Sequence, residues 1–344
     1  MRRAALAALT ALLVLMTALL VLMTALPTAN AQRAAEYDLT TTDFQLRDPF
    51  VLVHDGLYYM YGTGAASARG YGCYVSPDLE HWAGPFDVFT APDGFDGVRD
   101  FWAPECHAYA GQFYLFASYY SQTTGRRGVS IFRADDPLGP FEEITDGHIT
   151  PHDRDCIDGT LYVDDAGQPY MVYVVEWTGT DDGIGRMAAA PLSSDLTRFT
   201  SEPKELFRAD DPSWNPDKVT DGPFLYRSRT GKLLMLWSDF SPQGYCVALA
   251  SAKSVMGTWR QQRARLYTKD KHHADDGGHG MLFTDLNGQL TMCIHAPNAD
   301  APQRAQFLPV RDLGFTLALN ERATVQTWFM RCFDFLCSLW PQKD

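Results

Sequence analysis

The stretch VTDGPFLYRSRTGKLLMLWS, Val219 to Ser238, sets a carboxylate, Asp221, directly before a Gly-Pro pair that launches an apolar, strand-like run. A polar turn around Gly231 follows, then a second apolar run through Trp237. Two such runs flanking a Gly-containing turn read as a β-hairpin. Taken alone, Asp221 is a turn former, because an Asp side chain accepts hydrogen bonds from nearby backbone amides. Its meaning depends on whether the pattern recurs.

Four other segments share the form: RDPFVLVHDGLYYMYGT from Arg47, WAPECHAYAGQFYLFAS from Trp102, IDGTLYVDDAGQPYMVYV from Ile157 and GHGMLFTDLNGQLTMCIHAP from Gly278. Aligned on Asp48, Ala103, Asp158, Asp221 and His279, the starts lie 55, 55, 63 and 58 residues apart. Four units continue to a second shared feature, ending at Trp82, Phe141, Phe199 and Trp259, each preceded by another strand-like run. Four antiparallel strands repeated at this period describe an all-β fold, a five-bladed β-propeller of four-stranded antiparallel blades. RAQFLPV and GFTLAL complete the fifth blade, and a strand near AEYDLTT is available to close the ring. A β-sandwich competes but does not predict a constant long period with matching starts.

The ends of the chain read differently. Residues 1–31 have two arginines, an apolar run and the small-residue pattern Ala29-Asn30-Ala31, which predicts a secretory signal peptide cleaved before Gln32. The run is long for a signal, so an uncleaved membrane anchor is the alternative. The propeller is expected over 32–323. From 324 to 344, Trp328, Cys332, Phe335, Leu336, Leu339 and Trp340 follow helix-like spacing, so the tail reads as a short amphipathic helix or a poorly ordered terminus. The expected location is secreted or periplasmic, with no membrane partner once the signal is removed.

Charge narrows the partner. Lys and Arg number 29 against 42 Asp and Glu, a formal net charge of −13, which argues against nucleic acid or an anionic membrane surface. A neutral oligo- or polysaccharide fits this balance, and aromatics at 13% exceed what a minimal core needs. Seven scattered cysteines show no CxxC metal pairing, and their odd number leaves at least one thiol free; no particular disulfide follows from their spacing.

In a propeller the first strand of each blade lines the central channel, so the aligned starts converge at one mouth. That gathers Asp48, Asp158, Asp221 and His279 around one funnel. The ends of the second strands return to the same face, adding Glu176, Trp177, Tyr119, Tyr120, Asp239 and His295. Ionisable groups with aromatic walls are the usual composition of a carbohydrate-cleaving site.

RDPFVL, FWAPE, IDGTLYVDDAGQPYMVYV, TDGPFLY and GGHGMLF, in that order, resemble the successive blade starts of glycoside hydrolase family 43, the five-bladed arabinofuranosidase- and xylosidase-like glycosidases. The resemblance spans residues 43 to 318. It implies hydrolysis of α-L-arabinofuranosyl or β-D-xylosyl bonds with inversion, Asp48 as base, Asp158 as the modulator of the acid's pKa, and Asp221 in the acid's place. It also implies a fifth-blade histidine, His279, beside a water-coordinated structural calcium ion, although no cofactor is required for the reaction. Trp102, Trp177, His279, His295 and Arg304 are the expected substrate contacts. One departure matters. The family's acid is usually a Glu before Gly-Pro, and Asp221 is shorter by one carbon–carbon bond, about 1.5 Å. Glu176 is therefore the alternative acid. A non-catalytic carbohydrate-binding propeller and a glycoside phosphorylase are the alternative functions.

Overall fold

Hairpin after hairpin, the chain builds five four-stranded sheets, each a meander of consecutive antiparallel strands. The computed structural model describes residues 36–319 apart from 67, 68, 215, 271, 272, 300 and 301. The expected signal peptide, 1–31, and tail helix, 324–344, lie outside the described residues. Blade 1 consists of β1 (Arg47–His54), β2 (Leu57–Thr63), β3 (Gly70–Ser76) and β4 (Ala83–Thr90), and blade 2 of β5 (Gly97–Tyr109), β6 (Gln112–Ser121), β7 (Arg127–Ala134) and β8 (Glu142–Glu143). Blade 3 holds β9 (Cys156–Val163), β10 (Pro169–Val175), β11 (Arg186–Pro191) and β12 (Lys204–Arg208). Blade 4 holds β13 (Asp221–Arg227), β14 (Leu233–Ser241), β15 (Gly244–Ala252) and β16 (Arg260–Gln261). Blade 5 holds β17 (Gly278–Thr284), β18 (Leu290–Ala296), β19 (Arg304–Asp312) and β20 (Leu317–Leu319).

Local chemistry sets the turns. Asp55 and Gly56 join β1 to β2 with φ of 46° and 74°, the paired positive values that a two-residue hairpin matched to strand twist demands. In blades 3 and 5 the turn is longer and is organised by an Asp: Asp164 Oδ1 accepts from the backbone of Ala166 and Gln168, and Asp285 Oδ1 from that of Asn287 and Gln289.

Each sheet is covered on both faces by its neighbours, which is why second strands such as LLMLWS of β14 are apolar on both sides and buried. The core is therefore a ring of layers between blades. One layer joins Val172, Val174 and Met187 of blade 3 to Leu233, Met235 and Trp237 of blade 4. The recurring aromatic of the sequence repeat belongs to this core: Trp82 is fully buried and stacks on Phe307 of blade 5, and Phe199 stacks on Tyr173. All five described cysteines are buried and form no disulfide with one another.

The ring closes without exchanging a strand, since blade 5 supplies its own four. The N-terminal segment makes one bridge, Leu39 with Trp82, and then straps blade 1 to blade 5. Leu46 N–H donates to the Gln303 carbonyl at 3.0 Å, Gln45 bonds the Gln303 side chain at 2.7 Å, and Arg304 donates to the carbonyls of Thr41 and Thr42.

Candidate active site

Every inner strand carries a β-bulge near the channel mouth, and one or both residues at the bulge line the cavity there. The register breaks between Arg47 and Phe50 in β1, Trp102 and Glu105 in β5, Asp221 and Phe224 in β13, and Gly278 and Met281 in β17. At the bulge one residue has positive φ: Asp48 (52°), Ala103 (42°), Asp158 (53°), Gly222 (49°) and His279 (53°). This corrects the alignment made from sequence. Gly222, not Asp221, is the blade 4 counterpart of Asp48, and Asp221 occupies the preceding position with Arg47, Trp102, Ile157 and Gly278. The physical reason for a glycine is contact: a Cβ on Gly222 would lie 2.7 Å from Cγ of His279.

These two tiers surround a cavity of about 410 Å³ lined by Arg47, Asp48, Thr63, Trp102, Ile157, Asp158, Glu176, Trp177, Asp221 and His279. Asp48 Oδ2 accepts from the Thr63 hydroxyl at 2.7 Å, and Oδ1 faces His279 Nδ1 at 3.2 Å. Burial alone would favour the neutral acid, but the imidazolium of His279 outweighs it and holds Asp48 far below the usual carboxylate range. His279 is likewise buried against its charge, yet Asp48 and Asp158, the latter at 3.8 Å, push it up to about 10.

Asp221 has the opposite setting. Burial and the neighbouring Asp158 carboxylate push it up to about 8, and its Oδ2 accepts from the Tyr245 hydroxyl at 2.9 Å. The Tyr245 ring passes beside Gly278, where a Cβ would come within 2.4 Å of it, so the bare position in blade 5 makes room for the side chain that holds Asp221. Asp158 is raised less, to about 6, chiefly by burial, and its Oδ2 accepts from Gly222 N–H at 3.0 Å. One cavity thus contains a carboxylate kept ionised and a carboxyl kept protonated near neutral pH. That pairing suits general acid–base cleavage.

Comparison with known proteins matches these features to one family. The model for glycosyl hydrolases family 43 covers residues 40–311. The chain belongs to that family. A solved endo-arabinase from Bacteroides thetaiotaomicron VPI-5482 is 35% identical, with a TM-score of 0.72 over 80% of this chain and 97% of that one. A solved endo-1,4-beta-xylanase from the same organism is 26% identical, with a TM-score of 0.66 over 81% and 95% of the two chains. No curated protein matches the sequence. The protein is a family-43 glycosidase.

Several residues expected at the family-43 site stand elsewhere. Arg304 is part of the ring-closing strap and does not line the cavity, because its guanidinium is taken by the Thr41 and Thr42 carbonyls. His295 is fully buried behind the site: its Nδ1 accepts from Asp48 N–H at 3.1 Å, its Nε2 donates to Asn298 at 3.0 Å, and burial drives it down to about 4, so it acts as a neutral support. Asp239 is fully buried on the backbone amides of Val219 and Phe240, Tyr119 is turned inward onto Glu143, and Tyr120 lies under Arg99. Glu176 and Trp177 do line the cavity, Trp177 opening a short 3-10 turn that ends at Gly179.

Glu176 is already engaged. Its Oε2 accepts from Arg127 at 2.9 Å; the same guanidinium bonds Asp100 at 2.9 Å and lies 4.7 Å from the ring centre of Trp102. Sequence reasoning missed Arg47, Thr63, Arg127 and Tyr245. Arg47 was adjacent in RDPF, but the others come from second and third strands, whose approach only folding reveals. The calcium ion expected beside His279 is a water-coordinated one; as for direct ligands, His279 Nδ1 faces Asp48, and among the described residues no group of three His, Cys, Asp or Glu side chains is arranged to hold a metal. These residues do not fit a directly coordinated calcium ion.

Proposed function

We propose that this glycosidase hydrolyses α-L-arabinofuranosyl linkages of plant-type polysaccharide with inversion of configuration, and β-D-xylosyl linkages as the second choice. The observation that carries the mechanism is the opposed protonation of Asp48 and Asp221 across one cavity. Asp48, ionised, removes a proton from water as the water attacks the anomeric carbon. Asp221, protonated, gives its proton to the leaving glycosidic oxygen as that bond breaks. Both carboxyls end in the opposite state, and exchange with solvent resets them. Inversion needs room for that water, about 6.5–9.5 Å between the two carboxyls. His279 contacts both Asp48 and Asp158, and Asp158 accepts from the amide of Gly222 next to Asp221, so the two proposed carboxyls belong to one chain of contacts.

Asp158 is the modulator in this reading, since its charge is one cause of the raised Asp221. Trp102 and Trp177 wall the sugar, with Glu176 positioning Trp102 through Arg127. Asp221 is preferred as the acid over Glu176, whose Oε2 is held by the Arg127 guanidinium at 2.9 Å. The preference for arabinose rests on the endo-arabinase likeness at 35% identity. The two arginines at the site are committed to Asn298, Asp100 and Glu176, which speaks against a phosphorylase that must hold free phosphate. We also propose export through the N-terminal signal; sequencing the mature N-terminus tests it, and Gln32 is expected first.

Incubation with linear arabinan, xylan and the matching nitrophenyl pentosides tests the function. Product without added phosphate is expected, arabinan should be the better substrate, and NMR of the first product should show the inverted anomer. Asp48→Asn should lose turnover by about 10² to 10⁴-fold while remaining folded. Ligand retention without product would support a binding propeller instead.

A further inference from the structure

The bulge residues are tied around the ring by a second regularity. In four of the five blade junctions, the N–H of the bulge residue donates to a side chain on the second strand of the preceding blade. Ala103 N–H donates to Thr63 Oγ1 at 2.8 Å, Asp158 N–H to Ser118 Oγ at 3.0 Å, His279 N–H to Ser238 Oγ at 2.8 Å, and Asp48 N–H to His295 Nδ1 at 3.1 Å. The acceptors are structurally equivalent. Thr63, Ser118, Ser238 and His295 each pair across their hairpin with the residue just before the bulge: Arg47, Trp102, Asp221 and Gly278.

Blade 3 breaks the rule. The residue that pairs with Ile157 is Val174, which is fully buried and carries no acceptor. The Gly222 N–H of blade 4 is buried too, and leaving it unpaired would cost the full desolvation of an amide. Asp158 Oδ2 takes it instead. We propose that Val174 is a positioning residue: by offering no acceptor where every other blade has one, it leaves the Gly222 N–H to the Asp158 carboxylate and so fixes that carboxylate next to Asp221. The arrangement ties a missing side-chain acceptor in blade 3 to the placement of a charge at the site. Its catalytic part rests on the reading of Asp221 as proton donor, whereas the hydrogen-bond substitution does not.

A threonine at 174 restores the missing acceptor with little change of volume. Val174→Thr should capture the Gly222 N–H, free Asp158 to turn away, and move the alkaline limb of kcat/KM down by on the order of one pH unit, because a like charge near Asp221 has receded. Val174→Ala brings no acceptor and should leave the limb in place. Asp158→Ala strands the Gly222 N–H and should lower the melting temperature. Alanine itself is tolerated at a bulge with positive φ, as Ala103 shows. Adding Val174→Thr to Asp158→Ala should recover most of that loss, and adding Val174→Ala should recover none. Recovery by threonine together with a shifted limb supports the whole proposal. Recovery without the shift keeps the substitution of acceptors and rejects Asp221 as the donor. Equal behaviour of threonine and alanine in the Asp158→Ala background overturns the proposal, whatever the limb does.

Discussion

Two aspartates, Asp48 two blades before Asp158 and Asp221 one blade after it, are driven apart by what each touches. Asp48 meets an imidazolium and a hydroxyl; Asp221 meets a carboxylate and a phenol. The Tyr245 hydroxyl donates to Asp221 Oδ2 at 2.9 Å and so fixes where this carboxyl points. Tyr245→Phe should therefore lower kcat about threefold to tenfold, the worth of one neutral hydrogen bond. The same bond stabilises the ionised form of Asp221, so its loss should move the alkaline limb to higher pH, which a kcat/KM profile checks. Residue chemistry was partly legible in the sequence. Asp48, Asp158 and Asp221 were visible as polar groups at strand starts, whereas the fates of Arg304, His295 and Glu176 depended on partners in other blades or in the strap, and no spacing along the chain announces those.

The inner strand with its bulge is the element that builds the site, because one extra residue re-aims the strand start towards the mouth. All five blade starts could be read from hairpin pattern and period, yet blade 4 was placed one residue out of register by matching Asp to Asp. A better marker was present: Asp48, Ala103 and Gly222 each precede a proline, a position with its own backbone restriction. The two neighbouring glycines carry the steric side of the design. Gly278→Ala would push a methyl into the Tyr245 ring at 2.4 Å without altering any ionisable group. Loss of thermal stability of about 1–3 kcal/mol and a fall in kcat at least as large as in Tyr245→Phe are expected, measured by calorimetry and steady-state kinetics.

At the scale of the whole molecule, five buried sheet interfaces hold a cluster of mutually raised and lowered charges on the ring axis, so folding and proton binding are linked. Asp221 has a folded pKa of about 8 against an ordinary 3.8, so its contribution to stability is fully present below the ordinary value and is lost as pH rises through about 8. His279 adds a term present below 6.5 and lost as pH rises through about 10. Asp48 has the reverse sign: its depressed pKa adds stability above the ordinary range that is lost in acid. The melting temperature should accordingly fall between pH 6 and 9, and fall less in Asp221→Asn, which has no proton to lose. An equal fall in both proteins would mean that Asp221 is already ionised in the fold. The architecture that imposes this linkage was the most legible part of the chain, because a repeated hairpin with a constant period admits few folds. Its closure was not, since the strap acts through backbone carbonyls and one arginine rather than through a recognisable strand.

The central claim is that Asp221, shortened as it is, delivers the proton to the leaving oxygen. The dependence of kcat/KM on leaving-group pKa, measured over a series of aryl α-L-arabinofuranosides for the wild type, Asp221→Asn and Glu176→Gln, tests it most directly. Asp221→Asn should lose about 10² to 10⁴-fold on poor leaving groups and far less on good ones, while Glu176→Gln should weaken binding evenly across the series. A flat response in Asp221→Asn with a steep one in Glu176→Gln would contradict the account and move the acid to Glu176.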